Sequence, residues 1–184
     1  YLESPSNPLL KLVDLFAVAK LAKSKQITTA IDNTFATPIV QKPITLGVDI
    51  VIHSATKYFG GHSDISAGAV AASKDIMGKI WNLAKDFGGN LSDQTVWLLE
   101  RSMKTLAIRV RAQQKNAKKI ARFLEKHPAV KKVYYPGLVS HEQHQLAKIQ
   151  MKGFGAMLSF ELSKEYDTVL FLKSLQLIKP SMSL

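Results

Sequence analysis

Apolar and polar positions along this chain change period several times, and each change predicts an element. Leu12, Leu15, Phe16, Ala19 and Ala22 recur at helical spacing with lysines on the other side, which predicts an amphipathic helix. Residues 27–31 form a short β-rich run that ends at Asp32. Thr37-Pro38 predicts a turn, and Pro43 opens a short helix that stops at Gly47. Residues 49–53 read as the next strand, and residues 67–72, beyond a glycine pair, as another. Ahead of all this, two prolines flank Ser6-Asn7, so the opening residues read as an extended turn.

The second half reads differently. Helices are predicted over residues 75–85, 93–102 and 105–126. The last carries an apolar stripe of Leu106, Val110, Ala117, Ile120, Ala121 and Leu124, interrupted by Gln113. His127-Pro128 ends it. Strand, helix, strand, helix and strand follow over 130–135, 143–151, 156–162, 166–174 and 175–178. The alternation in the first half predicts an α/β layered fold with a mainly parallel sheet. Residues 1–104 are assigned to that large domain, 105–126 to a linking helix, and 127–184 to part of a smaller α+β domain. In open parallel sheets functional groups gather at the carboxyl ends of strands, where Asp32 and residues 54–57 fall.

Composition narrows the chemistry. The 184 residues are 46% hydrophobic and 21% charged, which suits a packed core. Cysteine is absent, so neither disulfides nor thiolate catalysis is available. No leader pattern opens the sequence and no apolar run approaches a membrane span, so a soluble cytoplasmic protein without membrane contact is expected. The formal charge of +11 is uneven: eleven Lys or Arg and one acid, Glu125, lie between Arg101 and Lys132. Such a stripe is either the solvated face of a long helix or a nucleic-acid surface. The helix reading ranks first, and a non-catalytic basic module that binds nucleic acid or a partner protein is the alternative of another class. His141-Glu-Gln-His144 has the wrong spacing for two metal ligands on one helix face, so no metal site is expected. His53 reads as a satisfied strand-end histidine, and His62, beside glycines, as a shaper of backbone. Trp81, Trp97 and Phe87 read as core or subunit-interface aromatics.

The strongest chemical signal is Lys57, two positions past Ala55 and directly after Ser54-Ala55-Thr56. An ammonium at the mouth of a buried strand loses hydration, so it gives up its proton or is consumed by covalent chemistry. Pyridoxal phosphate (PLP) needs a lysine for attachment and an acid for its pyridine nitrogen. It also needs donors for its phosphate and a polar group for its ring oxygen. Lys57, Asp32, the hydroxyls of Ser54 and Thr56, and Asn7 meet these needs in turn. Taken singly, Asp32 reads as a turn cap and Lys57 as a loop lysine; the combination carries the argument.

The combination also has a family look. Glu3-Ser-Pro-Ser-Asn-Pro8, Asp32-Asn-Thr-Phe-Ala-Thr-Pro38, residues 49–64, Lys104-Thr-Leu106, Tyr134-Tyr-Pro-Gly-Leu138 with Ser140-His141, and Gly153-Phe-Gly155 occur in order. Together they closely resemble the cystathionine synthase and lyase family, the PLP enzymes of Cys/Met metabolism. Glu142 stands where that family commonly has proline. The resemblance implies an aspartate-aminotransferase-like fold (fold type I), a homotetramer and a small amino-acid substrate. The stretch represented runs from partway through the large domain into the small one. It implies that Lys57 carries PLP, Asp32 pairs with the pyridine nitrogen, Ser54 and Thr56 bind phosphate and Asn7 contacts the ring hydroxyl. Ser183-Leu184 matches the start of a Ser-Leu-Gly-Gly stretch, which implies that Ser183 orients substrate. The expected activity is elimination or replacement at Cβ or Cγ, of cystathionine γ-synthase or cystathionine lyase type. O-acetylhomoserine sulfhydrylase and methionine γ-lyase share every residue quoted.

Overall fold

A computed structural model describes residues 1–179 and 181. Four strands build the first sheet: β1 (Leu2–Glu3), β2 (Ala30–Asp32), β3 (Ile50–Ser54) and β4 (Gly68–Ala72), in that spatial order. β1 to β2 and β2 to β3 are parallel, whereas β4 runs antiparallel to β3, so the sheet is mainly parallel as expected. Helix α1 (Leu15–Ser24) packs on it by burying Leu15 and Ala19 against Ile31, Val48 and Val51. Burying an aliphatic side chain of this kind contributes ~1.5–3 kcal/mol.

α1 starts three residues later than its apolar spacing predicts, because the Asp14 carboxylate accepts the Ala17 amide at 2.9 Å and caps it there. Leu12 is nonetheless buried, in extended chain. Its amide donates to the side-chain oxygen of Gln143 at 2.7 Å, and the Leu15 amide donates to that of Gln150 at 3.3 Å. Further differences from the predicted pattern are local. The opening residues pair as a short strand, with Leu2 opposite Ile31 and Glu3 opposite Asp32. Ile27 is 60% exposed and precedes the strand, which begins only at Ala30. The Thr37-Pro38 turn is a helical turn, α2 (Thr37–Val40), and Pro43–Leu46 forms a 3-10 turn closed by Gly47 at φ +96°.

After the sheet come α3 (Lys74–Phe87), α4 (Asp93–Met103) and the long α5 (Leu106–Leu124). Serine N-caps start the first two: Ser73 accepts from Ile76 and Ser92 from Thr95. α3 has no buried residue, and Trp81, Trp97 and Phe87 are exposed, so these aromatics are not core of this chain. α5 serves two cores. Leu106 and Val110 join Leu12, Val40, Ala55, Phe59 and Met151, whereas Ala117 and Ala121 join Val133, Tyr135 and Leu138. Ile120, placed on the buried stripe by its spacing, is half exposed.

The remaining elements are β5 (Val130–Tyr134), α6 (His144–Gln150), β6 (Ser159–Leu162) and α7 (Thr168–Ser174). β5 and β6 form an antiparallel pair of their own. Residues 175–178, expected as a strand, form none: Leu175 caps α7 and residues 176–178 are bends in which Leu177 is 96% exposed. Their apolar run has no partner strand among the described residues, and a strand needs one to satisfy its backbone.

Candidate active site

The site grows from the carboxyl ends of β2 and β3. Register places Asp32 opposite Ile52, and strand alternation puts Asp32, Ile52 and Ser54 on one face. Ile31 and Val51 point the other way, toward α1. The two strand ends are tied together beyond the last ladder bond. The Asn33 amide donates to the Ile52 carbonyl at 2.9 Å. Thr34 donates its amide to Asp32 Oδ1 at 2.9 Å and accepts the Ser54 amide on Oγ1 at 2.8 Å. An Asx-type turn of this kind orients the carboxylate from its own backbone.

A buried polar network stands behind it. The Gln41 side chain donates to the Ser4 carbonyl and to Asn33 Oδ1, each at 2.9 Å, and Asn33 Nδ2 donates to the Gln41 carbonyl at 3.1 Å. Ser4, Asn33 and Gln41 are fully buried, so the exits of β1 and β2 are held rigidly.

Lys57 lies in the turn that follows β3. Its amide donates to the Ser54 carbonyl at 3.1 Å, and its carbonyl accepts the Gly61 amide at 2.7 Å. The residue is half-buried and lines a cleft of about 790 Å³ together with Thr56, Tyr58, Arg109, Phe123 and Phe160. Burial pushes the Tyr58 phenol up to about 12. Ser54 is half-buried and sits opposite Gly68 on β4. The Thr56 hydroxyl accepts the Ala67 amide at 2.9 Å and reaches the Ala67 carbonyl at 3.3 Å, so it is held against the entry to β4.

Asp32, Ser54, Thr56 and Lys57 are thus brought to one end of two neighbouring strands. Asn7 follows the carboxyl end of β1, one strand further over, with its side chain exposed. The next residue's carbonyl, that of Pro8, accepts Ser159 Oγ from β6 at 2.7 Å. Ser183 lies outside the described residues.

Three neighbours of the site carried no role in the sequence reading. Burial raises the Tyr1 phenol above its ordinary pKa, and the nearby Asp32 carboxylate adds to the shift. Thr34 was available inside the Asp32-Asn-Thr motif. Arg109 donates to the Tyr58 carbonyl at 2.7 Å across fifty residues of chain, and nothing in a basic helix singles it out. The histidines behave as packing groups. His53 is buried and stacked on Phe59 with centroids 4.6 Å apart, and burial holds its imidazole down at about 4. His62 Nδ1 donates to the Gly60 carbonyl at 2.7 Å. His144 Nδ1 donates to the Pro136 carbonyl at 2.8 Å and stacks on Phe154.

A mainly parallel α/β sheet with a lysine turn and an aspartate at adjacent strand ends has the architecture of the fold type I, PLP-dependent class. The chain belongs to the family described as Cys/Met metabolism PLP-dependent enzyme, whose profile matches residues 1–184. It is 52% identical over 176 residues to a cystathionine beta-lyase of Lactococcus lactis, covering 95% of this chain and 46% of the relative. The solved cystathionine gamma-lyase of Lactobacillus plantarum, complexed with L-serine, superposes with a TM-score of 0.97 at 50% identity, covering 100% of this chain and 49% of that one. A cystathionine gamma synthase of Xanthomonas oryzae pv. oryzae, in complex with aminoacrylate and cysteine, gives 0.95 at 42% identity, covering 100% and 48%. The chain therefore spans about half the length of the relatives it matches.

Proposed function

We propose that this chain holds the cofactor centre of a PLP-dependent enzyme of sulfur amino-acid metabolism, acting by elimination or replacement at Cβ or Cγ. One observation carries the reading: Asp32 and the Ser54–Lys57 segment meet at neighbouring parallel strand ends, tied through Thr34. The residues fit the group. A half-buried carboxylate is oriented by its own turn, an amine lines an adjoining cleft of sufficient size, and two hydroxyls precede that amine.

When bound, PLP supplies an electron-accepting ring and an aldehyde that condenses with amines. Lys57 Nζ would hold the cofactor, and as a free amine it would take and return protons at the substrate Cα. Asp32 keeps a proton on the pyridine nitrogen, because a carboxylate beside that nitrogen favours its charged form. Ser54 and Thr56 donate to the phosphate, which requires the Thr56 hydroxyl to turn from the Ala67 carbonyl. Asn7 orients the ring oxygen, and Ser183 is assigned to substrate. Phe123 and Phe160 line the same cleft as Lys57 and give it an apolar side.

Cystathionine γ-synthase or cystathionine lyase chemistry is the preferred subtype, in keeping with the names of the relatives. O-acetylhomoserine sulfhydrylase and methionine γ-lyase activities remain as alternatives on the same residues. Residues 1–104 and 127–184 are read as parts of a large and a small domain joined by the α5 segment, a division supported by the two cores that α5 serves. A cytoplasmic homo-oligomer, specifically a tetramer, completes the reading, supported by the exposed aromatics of α3. No helix among the described residues is long and apolar enough to cross a membrane.

Borohydride reduction of the PLP-loaded protein followed by peptide mapping tests the centre. A pyridoxyl adduct on Lys57 is expected; an adduct on another lysine alone overturns the assignment. Product analysis with cystathionine and with O-acetylhomoserine then separates the subtypes.

A further inference from the structure

The turn that carries Lys57 is built like the closing turns of a short helix. Besides the bonds already described for Lys57, the Gly60 amide donates back to the Ala55 carbonyl at 2.8 Å. A helical segment leaves its last carbonyls without amide partners. Here side chains take them. Arg109 Nη1 donates to Tyr58 O at 2.7 Å, Arg109 Nη2 to Phe59 O at 3.3 Å, and His62 Nδ1 to Gly60 O at 2.7 Å.

The same guanidinium closes a second helix end. Its Nη2 also donates to Ser102 O in the last turn of α4 at 3.1 Å, and its Nε donates to Thr105 Oγ1 at 3.0 Å. One cation therefore joins two carbonyl ends, where helix dipoles favour positive charge. Four of the five N–H groups of the guanidinium are engaged in this way, which leaves no two-pronged face for a substrate carboxylate. Gly61 belongs to the same arrangement. Its φ is +75°, and a Cβ there would lie 2.1 Å from Arg109 Nη1. The left-handed backbone favours glycine, and any Cβ there would have to displace the Arg109 side chain.

We infer that Arg109 is a positioning residue for Lys57: by clamping the carbonyls of Tyr58 and Phe59 to the end of α4, it fixes the backbone from which Lys57 enters the cleft. The inference rests on the reading that Lys57 carries PLP. A lysine stem has four rotatable carbons, so its reactive nitrogen is aimed only as well as its backbone is held. Positioning errors of about 1 Å are enough to slow chemistry roughly a hundredfold.

Three variants test it in the PLP-loaded protein: Arg109→Met, which keeps bulk but removes every donor, Arg109→Lys and Gly61→Ala. Arg109→Met is expected to speed hydrogen exchange at the Gly60 and Gly61 amides about tenfold or more, since charged hydrogen bonds are lost. Exchange in β2 and β3 stays as in the wild type. The pH midpoint of the visible absorbance of bound PLP moves, because that absorbance reports the group attached at Lys57. Arg109→Lys restores a charge without the forked reach, so melting temperature recovers while the absorbance midpoint stays displaced. If both recover, charge alone suffices and the clamp is wrong. Unchanged exchange and an unchanged midpoint in Arg109→Met also overturn it. Should that variant fail to fold, Gly61→Ala decides, because its Cβ pushes the intact cation off the Tyr58 carbonyl and must give the same two signatures. A wild-type protein that takes up no PLP sinks the cofactor reading instead, and the exchange measurement alone then judges the clamp.

Discussion

The Ser54 amide donates to Thr34 Oγ1 at 2.8 Å, and this bond staples the carboxyl ends of two parallel strands. A matching staple closes the other end of the same pair. The Asp49 carboxylate accepts the Thr29 amide at 2.8 Å and the Thr29 hydroxyl at 2.7 Å, and these bonds hold its pKa below the usual carboxylate range. Both staples span the same sequence separation, so they enforce the register that sets Asp32 opposite Ile52. A slip by one residue would turn Asp32 toward α1.

Thr34→Val removes the acceptor while keeping the shape of the side chain. It leaves the Ser54 amide without that partner, at a cost of about 1–3 kcal/mol in unfolding free energy. Thr34→Ser keeps the hydroxyl and is expected to stay near wild type. Urea unfolding of the two variants measures the difference, and equal midpoints would discount the staple.

His53 gives the fold an acid sensitivity of stated sign. Its folded pKa of about 4 lies below the ordinary histidine value, first because of burial, with the Asp32 carboxylate pulling weakly the other way. Above about pH 6.5 the imidazole is neutral in folded and unfolded chains alike, so nothing is lost. As pH falls from there toward 4, the unfolded chain takes a proton that the folded one refuses. Stability drops across that window, by roughly 3 kcal/mol at most for this group. His53→Leu abolishes this part of the pH dependence. Unfolding curves at several pH values between 4 and 7 should show a flatter slope for the variant; parallel slopes would contradict the assignment.

What was legible in the sequence, and what was not, follows the range of the forces involved. The positions of Asp32 and Lys57 are legible because one ends a short apolar run and the other follows one closely, and such runs mark buried strands. β1 was not, since two residues have no period and only pairing with β2 makes them a strand. Leu12 looked helical because it is buried. Its extended backbone is held by Gln143, a residue 131 positions away. Residues 175–178 look like a strand by composition, but composition does not provide a neighbour. Arg109 was invisible for a different reason. Its partners are main-chain carbonyls, which every residue owns, so no motif announces it.

The aromatics of α3 bear on assembly. Trp81 is 60% and Phe87 85% exposed, on a helix with no buried residue. Exposed aromatics of this density mark contact surfaces, and a second copy of the chain is the occupant expected here. The double variant Trp81→Ser, Phe87→Ser should sediment as a smaller species. Unfolding of its protomer should change little, because neither ring packs in the core. An unchanged sedimentation coefficient would remove α3 from the assembly surface.

Lys57 and Asp32 are expected to fail in different ways, and the difference separates their roles. On the proposed roles, Lys57→Ala removes the attachment point and the proton carrier together, so turnover is expected to be essentially lost and borohydride to fix no cofactor to this peptide. Asp32→Asn keeps a hydrogen-bonding group of the same size at the end of β2, and Thr34 still orients it through its amide. PLP should therefore remain bound, while the ring loses the carboxylate that favours a protonated nitrogen. The expected fall in kcat is roughly 10²–10⁴-fold, the range associated with losing one acid–base contribution. Bound PLP measured by absorbance, beside kcat and KM for the same samples, distinguishes the two variants. An Asp32→Asn protein with wild-type kcat would break the pairing of carboxylate and ring on which the proposed centre depends.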